Sequence, residues 1–551
     1  MSNKNDIKIS NAPWWQGAVI YQIYPRSFMD ANNDGIGDIP GIINKFSYIE
    51  SLGVDAIWVS PFFKSPMKDF GYDISDYRNI DPIFGSLDDF DQLIEKAKAA
   101  DIKVIIDQVL SHTSDQHQWF TESRENKTNA KADWYVWADA KPDGTPPNNW
   151  LSIFGGSAWQ WEPRRGQYYL HNFLTSQPDL NFHNEDVRQA VLDNVEFWLK
   201  RGVNGFRLDA INFCFHDKYL RDNPAKAPAD RVGRGFSEDN PYAFQRHDYN
   251  NTQPENLGFM EELRTLFDRY DSIVTLGEIS SEDSLKDMAE YTQGNKRLNM
   301  AYSFELLTDD FSPRYIRQTI ESLEQQMSDG WPCWAVSNHD VQRVATRWGK
   351  EHANADVAKL CIALLGSLRG SICTYQGEEL GLTEANVPFE QLQDPYGIAF
   401  WPEFKGRDGC RTPLPWSADK QNAGFSSSTP WLPVPSEHHK FSIDQQENDD
   451  NSVLSAYKKF NQWRNAHAAL RIGDIEFIES TDELLIFTRT ISGSNEKLLA
   501  VFNLSANTVK TTLNIAISNE LSCGIFQPAV VNGQQLEISG FSAFFAELET
   551  H

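Results

Sequence analysis

Gly205-Phe206-Arg207-Leu208-Asp209 is the stretch from which the fold can be read. Phe206 and Leu208 alternate with two charged residues, the period of a strand, so Arg207 and Asp209 share one face. Just upstream, Val187, Ala190, Val191, Val195, Trp198 and Leu199 recur at three- and four-residue spacing. That spacing predicts a helix, with Asn184 to cap its start and Gly202 to end it. The same helix-and-strand unit repeats outward in both directions. Short runs at 19–24, 56–59, 103–108, 205–208, 273–277, 300–304, 333–337 and 371–375 alternate with amphipathic stretches such as 89–100 and 316–327. Eight strands separated by helical crossovers predict an α/β fold of the (β/α)8 TIM-barrel type.

Three segments break the alternation. Residues 113–182, rich in Trp, Asn, Gly and Pro, are too long for a loop and predict a domain inserted after strand three. Residues 381–450, polar and Pro-rich, predict a smaller insertion after strand eight. From about residue 471 the pattern changes to short alternating runs at 484–489, 497–502 and 541–546, which predicts a C-terminal antiparallel β-sandwich. The expected division is a barrel domain of 1–112 plus 183–470, carrying the subdomain 381–450, with an inserted domain of 113–182 and a C-terminal domain of 471–551.

Composition narrows the partners. Fifty basic against seventy-seven acidic residues give a net charge of −27, a field that repels phosphate backbones and anionic membranes. Nucleic acid and membrane are therefore excluded as partners, and a neutral small-molecule substrate is favoured. The seventeen Trp suit either a packed interior or sugar stacking. Cys214, Cys333, Cys361, Cys373, Cys410 and Cys523 are scattered without a CxxC pair, so neither a zinc site nor a disulfide framework is expected. The N-terminus is polar where a signal peptide needs an apolar core, and no run approaches the roughly 18 apolar residues that span a bilayer. A cytoplasmic protein is expected, in which the N-x-[ST] matches at Asn126, Asn250 and Asn503 are chance.

In an eight-stranded barrel the reactive groups stand at the C-terminal ends of the strands. The polar residues there are Asp69, Gly71, Tyr72 and Asp73 after strand two, Asp107 and His112 at strand three, Arg207 and Asp209 at strand four, Glu278 at strand five, and Asn338, His339 and Asp340 at strand seven. Singly each has a bland reading: a structural Arg–Asp pair, a solvated Glu, a turn. Jointly they meet the needs of glycosidic-bond cleavage, where one carboxylate attacks and another, kept protonated, releases the leaving oxygen. Arg207 beside Asp209 is expected to hold it ionised as nucleophile, and neighbouring carboxylates are expected to raise Glu278 into the range of a general acid. Asp340, His112 and His339 remain to bind sugar hydroxyls.

The segments Asp107-Gln108-Val109-Leu110-Ser111-His112, Gly205 to Asp209, the Glu278 region and Val336-Ser337-Asn338-His339-Asp340 resemble, in order and spacing, the four motif regions of the α-amylase family, glycoside hydrolase family 13. Gln177-Pro178-Asp179-Leu180-Asn181 resembles the marker of its oligo-1,6-glucosidase and α-glucosidase members. The resemblance spans nearly the whole chain. It implies a retaining α-glucosidase with Asp209 as nucleophile, Glu278 as acid/base and Asp340 as transition-state stabiliser. It further implies that Asp69, Tyr72, His112, Arg207 and His339 form the pocket of the terminal glucose, with Tyr72 as its stacking platform. In Gly406-Arg407-Asp408-Gly409-Cys410-Arg411-Thr412-Pro413, Arg407 and Arg411 match arginines near that pocket, although the family more often has Asn-Ala where Gly409-Cys410 stands. Ala210, next to the nucleophile, occupies a position where Val accompanies α-1,6 cleavage and smaller or Thr side chains accompany α-1,4, which implies a maltose-like substrate.

The loop containing Asp30, Asn32, Asp34, Ile36 and Asp38 offers oxygen at alternate positions with glycines for the turn. Gly41 stands where an EF-hand needs Glu, so the loop is not one. The resemblance implies a structural Ca2+ or Mg2+ here, with the Ile36 carbonyl among its ligands; an Asx-rich turn without metal is the alternative. No organic cofactor is expected. The competing functions are a transglucosylase or isomerase using the same covalent intermediate, and a non-catalytic barrel relative, which would have lost the carboxylates retained here.

Overall fold

The computed structural model describes residues 12–231, 239–327, 329–478 and 481–549; the polar N-terminal reading of residues 1–11 lies outside them. Its centre is a closed barrel of eight parallel strands: β1 (Val19–Ile23), β2 (Ala56–Val59), β3 (Lys103–Val109), β4 (Gly205–Asp209), β5 (Val274–Ile279), β6 (Met300–Ser303), β7 (Trp331–Ala335) and β8 (Ser371–Tyr375), hydrogen-bonded in chain order. All eight expected strands are present. Strand β7 begins two residues before the expected 333, because Pro332 reads as a strand breaker yet pairs with Ala301 at the strand's first turn.

The helix expected before β4 runs Glu185–Lys200, and the Asn184 side chain caps it by accepting the Asp186 N–H at 2.9 Å. Gly202 turns the chain into β4 at φ +94°, where a side chain would be strained.

Alternation along each strand divides the side chains between two cores. Ile20, Ala56, Trp58, Ile105, Leu276, Met300, Cys333 and Cys373 fill the barrel interior. Their outward neighbours, among them Val19, Ile57, Ile106, Phe206, Leu208 and Ile372, pack against the helices. The interior layer nearest the C-terminal rim is polar: Gln22, Asp107, Arg207, Asp209, Glu278 and Tyr302.

Residues 113–182 carry a three-stranded antiparallel sheet of Trp137–Ala138, Gln167–Leu170 and Trp159–Glu162 with its own small core around Trp150 and Trp159. After β8 the chain forms only short helices, including Pro395–Phe400 and Asp408–Arg411, before the long helix Val453–Asn465. Beyond it stand a five-stranded and a three-stranded antiparallel sheet. Between them lie Leu484, Ile486, Leu499, Val501, Leu536, Ile538 and Phe544. The alternate residues Leu485, Phe487, Ala500, Phe502 and Phe545 turn the other way and join the main core, so the larger sheet is buried on both faces. All six cysteines are buried and free. Among the described residues no helix is long and apolar enough to cross a membrane.

Candidate active site

The strand register assembles the centre. Asp107 of β3 lies opposite Arg207 of β4, and Glu278 of β5 opposite Tyr302 of β6. Arg207, fully buried, consequently meets three carboxylates at once: Nη1 donates to Asp107 Oδ1 at 2.8 Å and to Asp209 Oδ1 at 2.5 Å, and Nη2 lies 2.5 Å from Glu278 Oε1. Its Nε and Nη2 also donate to the Tyr302 hydroxyl, which in turn donates to Glu278 Oε1 at 2.9 Å. The second Glu278 oxygen accepts the Ala210 N–H at 3.1 Å.

The i, i+2 spacing predicts the Arg207–Asp209 pair, and the structure adds Asp107 and Glu278 to the same guanidinium. Burial lifts Asp209 to about 7, with Arg207 pulling it down and Asp107 pushing it up. Burial likewise lifts Glu278 to about 7, Arg207 opposing and Asp209 adding. One guanidinium charge faces three carboxylates, so near neutral pH a proton is retained within the cluster.

Asp340 behaves oppositely. Burial pushes its carboxyl up, but His339, Arg407 and Arg411 outweigh that and hold it well below the usual carboxylate range. Burial drops His339 itself to about 3. Its contribution is therefore an Nε2–H at 3.2 Å from Asp340 Oδ2, and the positive charge comes from Arg407 Nη1 at 3.2 Å and Arg411 Nη2 at 2.9 Å. Gln22 Nε2 donates to His339 Nδ1 at 2.8 Å, which leaves the ring proton on Nε2. That nitrogen also lies 2.5 Å from the Tyr72 hydroxyl, and the Tyr72 and His339 rings are parallel at 5.3 Å.

Above these groups opens a pocket that is continuous with solvent. Asp69, Tyr72, His112, Asp209, Ala210, Glu278, Asp340 and Arg407 line it, together with Gln177 and a set of aromatic rings, Phe154, Phe173, Phe213, Phe304 and Tyr396. Arg207, His339 and Arg411 do not: each is almost completely buried one layer behind the wall and acts on the pocket through the carboxylates it holds. Arg407 is the cation inside the pocket, donating to Asp69 Oδ1 at 2.9 Å and to both oxygens of Asp394. His112, neutral because burial lowers it to about 4, donates from Nε2 to the Tyr72 carbonyl at 3.1 Å.

Tyr302 and Asp394 are absent from the sequence expectations, and Asp107 and Gln177 enter them only as rim or motif residues without an individual role. Tyr302 had a readable signal, since it is the inward position two residues after Met300. Asp394 had none, for only the folded chain brings it to Arg407.

The 30–38 loop lies outside this pocket. Asp30 and Asp38 are buried, and burial, opposed by the Gly41 N–H and aided by Asp30, lifts Asp38 to about 6. Asp30 accepts the Asn33 and Gly35 N–H groups, Asp34 accepts that of Ile36, and Asp38 those of Gly41 and Ala31. Among the described residues no group of three or more His, Cys, Asp or Glu side chains converges as a metal site. The donor set is nonetheless all oxygen, and the buried Asp30 and Asp38 carboxylates stand together with no ion-pair partner among the described residues, which fits a hard cation.

Comparison with known proteins gives a consistent result. Residues 22–473 match the family model for the alpha amylase catalytic domain. The chain is 52% identical to a probable alpha-glucosidase of Rhizobium meliloti (strain 1021), over 97% of both chains. It is 38% identical to an oligo-1,6-glucosidase of Heyndrickxia coagulans, over 90% of this chain and 93% of that one. Among solved structures it is similar to the alpha-glucosyl transfer enzyme XgtA, with a TM-score of 0.96 and 60% identity over 98% of this chain and 100% of that one.

Proposed function

The chain belongs to the α-amylase family of glycoside hydrolases, and from that premise we propose that it is a retaining, exo-acting α-glucosidase releasing terminal α-1,4-linked glucose from maltose and short malto-oligosaccharides. The observation that carries this reading is that one guanidinium grips Asp209 and Glu278 at the floor of a pocket whose other wall is ionised. Two carboxylates on one cation are kept close, and retention needs about 5–5.5 Å between them where inversion needs about 6.5–9.5 Å. With the retained proton on Glu278, the Asp209 carboxylate attacks the anomeric carbon while Glu278 protonates the departing glycosidic oxygen. Glu278, now ionised, takes a proton from water, and the resulting oxygen displaces Asp209 to give α-glucose. Asp340, held ionised, faces the positive charge that develops on the sugar ring. The six buried, unpaired cysteines accord with a cytoplasmic setting.

Initial rates on maltose, isomaltose, sucrose and p-nitrophenyl α-glucoside test the reading; it fails if maltose is not cleaved from its non-reducing end. Glucosyl transfer to a sugar acceptor is a second reading, favoured by the 60% identity to an alpha-glucosyl transfer enzyme. Products longer than maltose from concentrated maltose would support it.

Ala210 is proposed to set the linkage preference. It lines the pocket and has φ +40° and ψ +45°, left-handed values that β-branched residues avoid. Val there would narrow the wall met by a ring attached through O4, whereas the extra rotatable bond of a 1,6 linkage lets its ring swing away. Ala210→Val is expected to lower the ratio of kcat/KM on maltose to that on isomaltose by roughly tenfold. Strain alone would depress both substrates together, and Ala210→Gly, which tolerates the backbone, should not lower the ratio. An unchanged ratio in the Val variant would refute the assignment.

The 30–38 loop is proposed to hold Ca2+ or Mg2+ through Asp30, Asn32, Asp34, the Ile36 carbonyl and Asp38. A bound cation would neutralise the buried pair of carboxylates and fasten the loop, which already meets the segment after β8 through Asn33 and Ser427. Chelation is then expected to lower Tm, and excess cation to restore it, while folded molecules keep their turnover. A Tm indifferent to both would leave an Asx turn.

A further inference from the structure

Asn240 is fully buried in the long crossover after β4, and no motif points to it. Its Oδ1 accepts the Tyr242 N–H at 3.0 Å, capping the short helix Pro241–Phe244. Its Nδ2 donates twice: to the Ile153 carbonyl at 2.6 Å and to the Tyr396 hydroxyl at 2.9 Å. Ile153 belongs to the segment after β3 and Tyr396 to the helix Pro395–Phe400 after β8, so one amide joins three crossovers that are far apart in the chain.

The residues it joins are walls of the reaction pocket. Ile153, Phe154 and Tyr396 line it; the Phe154 ring packs with its centroid 5.2 Å from that of Tyr396, and the Arg407 guanidinium lies over the same Phe154 ring, 5.2 Å from its centroid. The Tyr396 helix is fixed at its start by Asp394, which accepts the Tyr396 N–H at 3.2 Å and also holds Arg407. A continuous course of polar contacts thus runs from Arg407 through Asp394, the Tyr396 residue and Asn240 to Ile153, around the side of the pocket where Asp69 and Arg407 stand.

We propose that Asn240 is a positioning residue that sets chain-length selectivity. By holding Ile153 and Phe154 against Tyr396 it keeps the pocket closed beyond the terminal sugar, so that a chain end enters and a chain interior does not. The inference rests on the exo-acting reading above. Only an amide supplies two N–H donors and an acceptor at this size; Asp would keep the cap and lose both outward bonds.

Asn240→Asp and Asn240→Ala are the test, with initial rates on maltose and maltopentaose. Both variants are expected to raise KM for maltose roughly tenfold with kcat changed by no more than about twofold, and to raise the ratio of kcat/KM on maltopentaose to that on maltose several-fold. A purely structural role would lower kcat on the two substrates in proportion and leave KM and the ratio in place, which would overturn the proposal. If neither variant folds, Tyr396→Phe removes one of the two bonds from the other side and must move the ratio in the same direction; an unchanged ratio there overturns the proposal too. Failure of the exo-acting reading is distinguishable, because the wild type would then release fragments larger than glucose as first products from maltopentaose.

Discussion

Asp209→Asn is expected to lower kcat by roughly four orders of magnitude or more with the fold intact, because the amide cannot form the glycosyl ester. The substitution is nearly isosteric and removes one of three carboxylates crowding Arg207, so Tm should not fall sharply. Glu278→Gln should be equally damaging on maltose, but with a different signature. A p-nitrophenyl leaving group needs little protonation, so the first half-reaction survives while the second lacks its base. The expected result on p-nitrophenyl α-glucoside is a burst of nitrophenol, stoichiometric with enzyme, followed by slow turnover. Near-wild-type steady-state rates for either variant would remove the assignment.

Arg407→Ala carries the second large expectation. It deprives Asp69, Asp340 and Asp394 of a shared partner in a site where Arg407 is only 8% exposed. Removing one member of a buried charge cluster costs about 3–5 kcal/mol, more than the pair itself was worth, since uncompensated charge remains. Two losses should coincide: a marked fall in Tm, and a fall in kcat/KM of roughly a hundredfold as Asp69 and Asp340, the carboxylates of the three that line the pocket, lose their orientation. Arg411→Ala leaves Arg407 on Asp340 and should be milder on kcat/KM. Equal kcat/KM for the two variants would contradict the separation of Arg407, inside the pocket, from Arg411, behind it.

The barrel was legible because its strands are short, β-branched and separated by periodic helices, and strand alternation alone places Arg207 and Asp209 on one face. Neighbouring strands hide their register from that reading. Arg207 looked like the partner of Asp209, whereas pairing of β3 with β4 puts Asp107 beside it and pairing of β5 with β6 brings in Glu278 and Tyr302. His339 and Arg411 were recognisable as site residues by motif, yet only burial shows that they act through Tyr72 and Asp340 from behind the wall. Asp394, Tyr396 and Asn240 come from irregular crossovers with no periodicity to read, and they meet only once the barrel has closed.

The measurement that tests the central claim most directly is the anomeric form of the first glucose released, followed by proton NMR before mutarotation. Double displacement through Asp209 predicts that α-glucose appears first and β-glucose grows in afterwards. β-Glucose as the first product would contradict the covalent mechanism and with it the division of labour between Asp209 and Glu278.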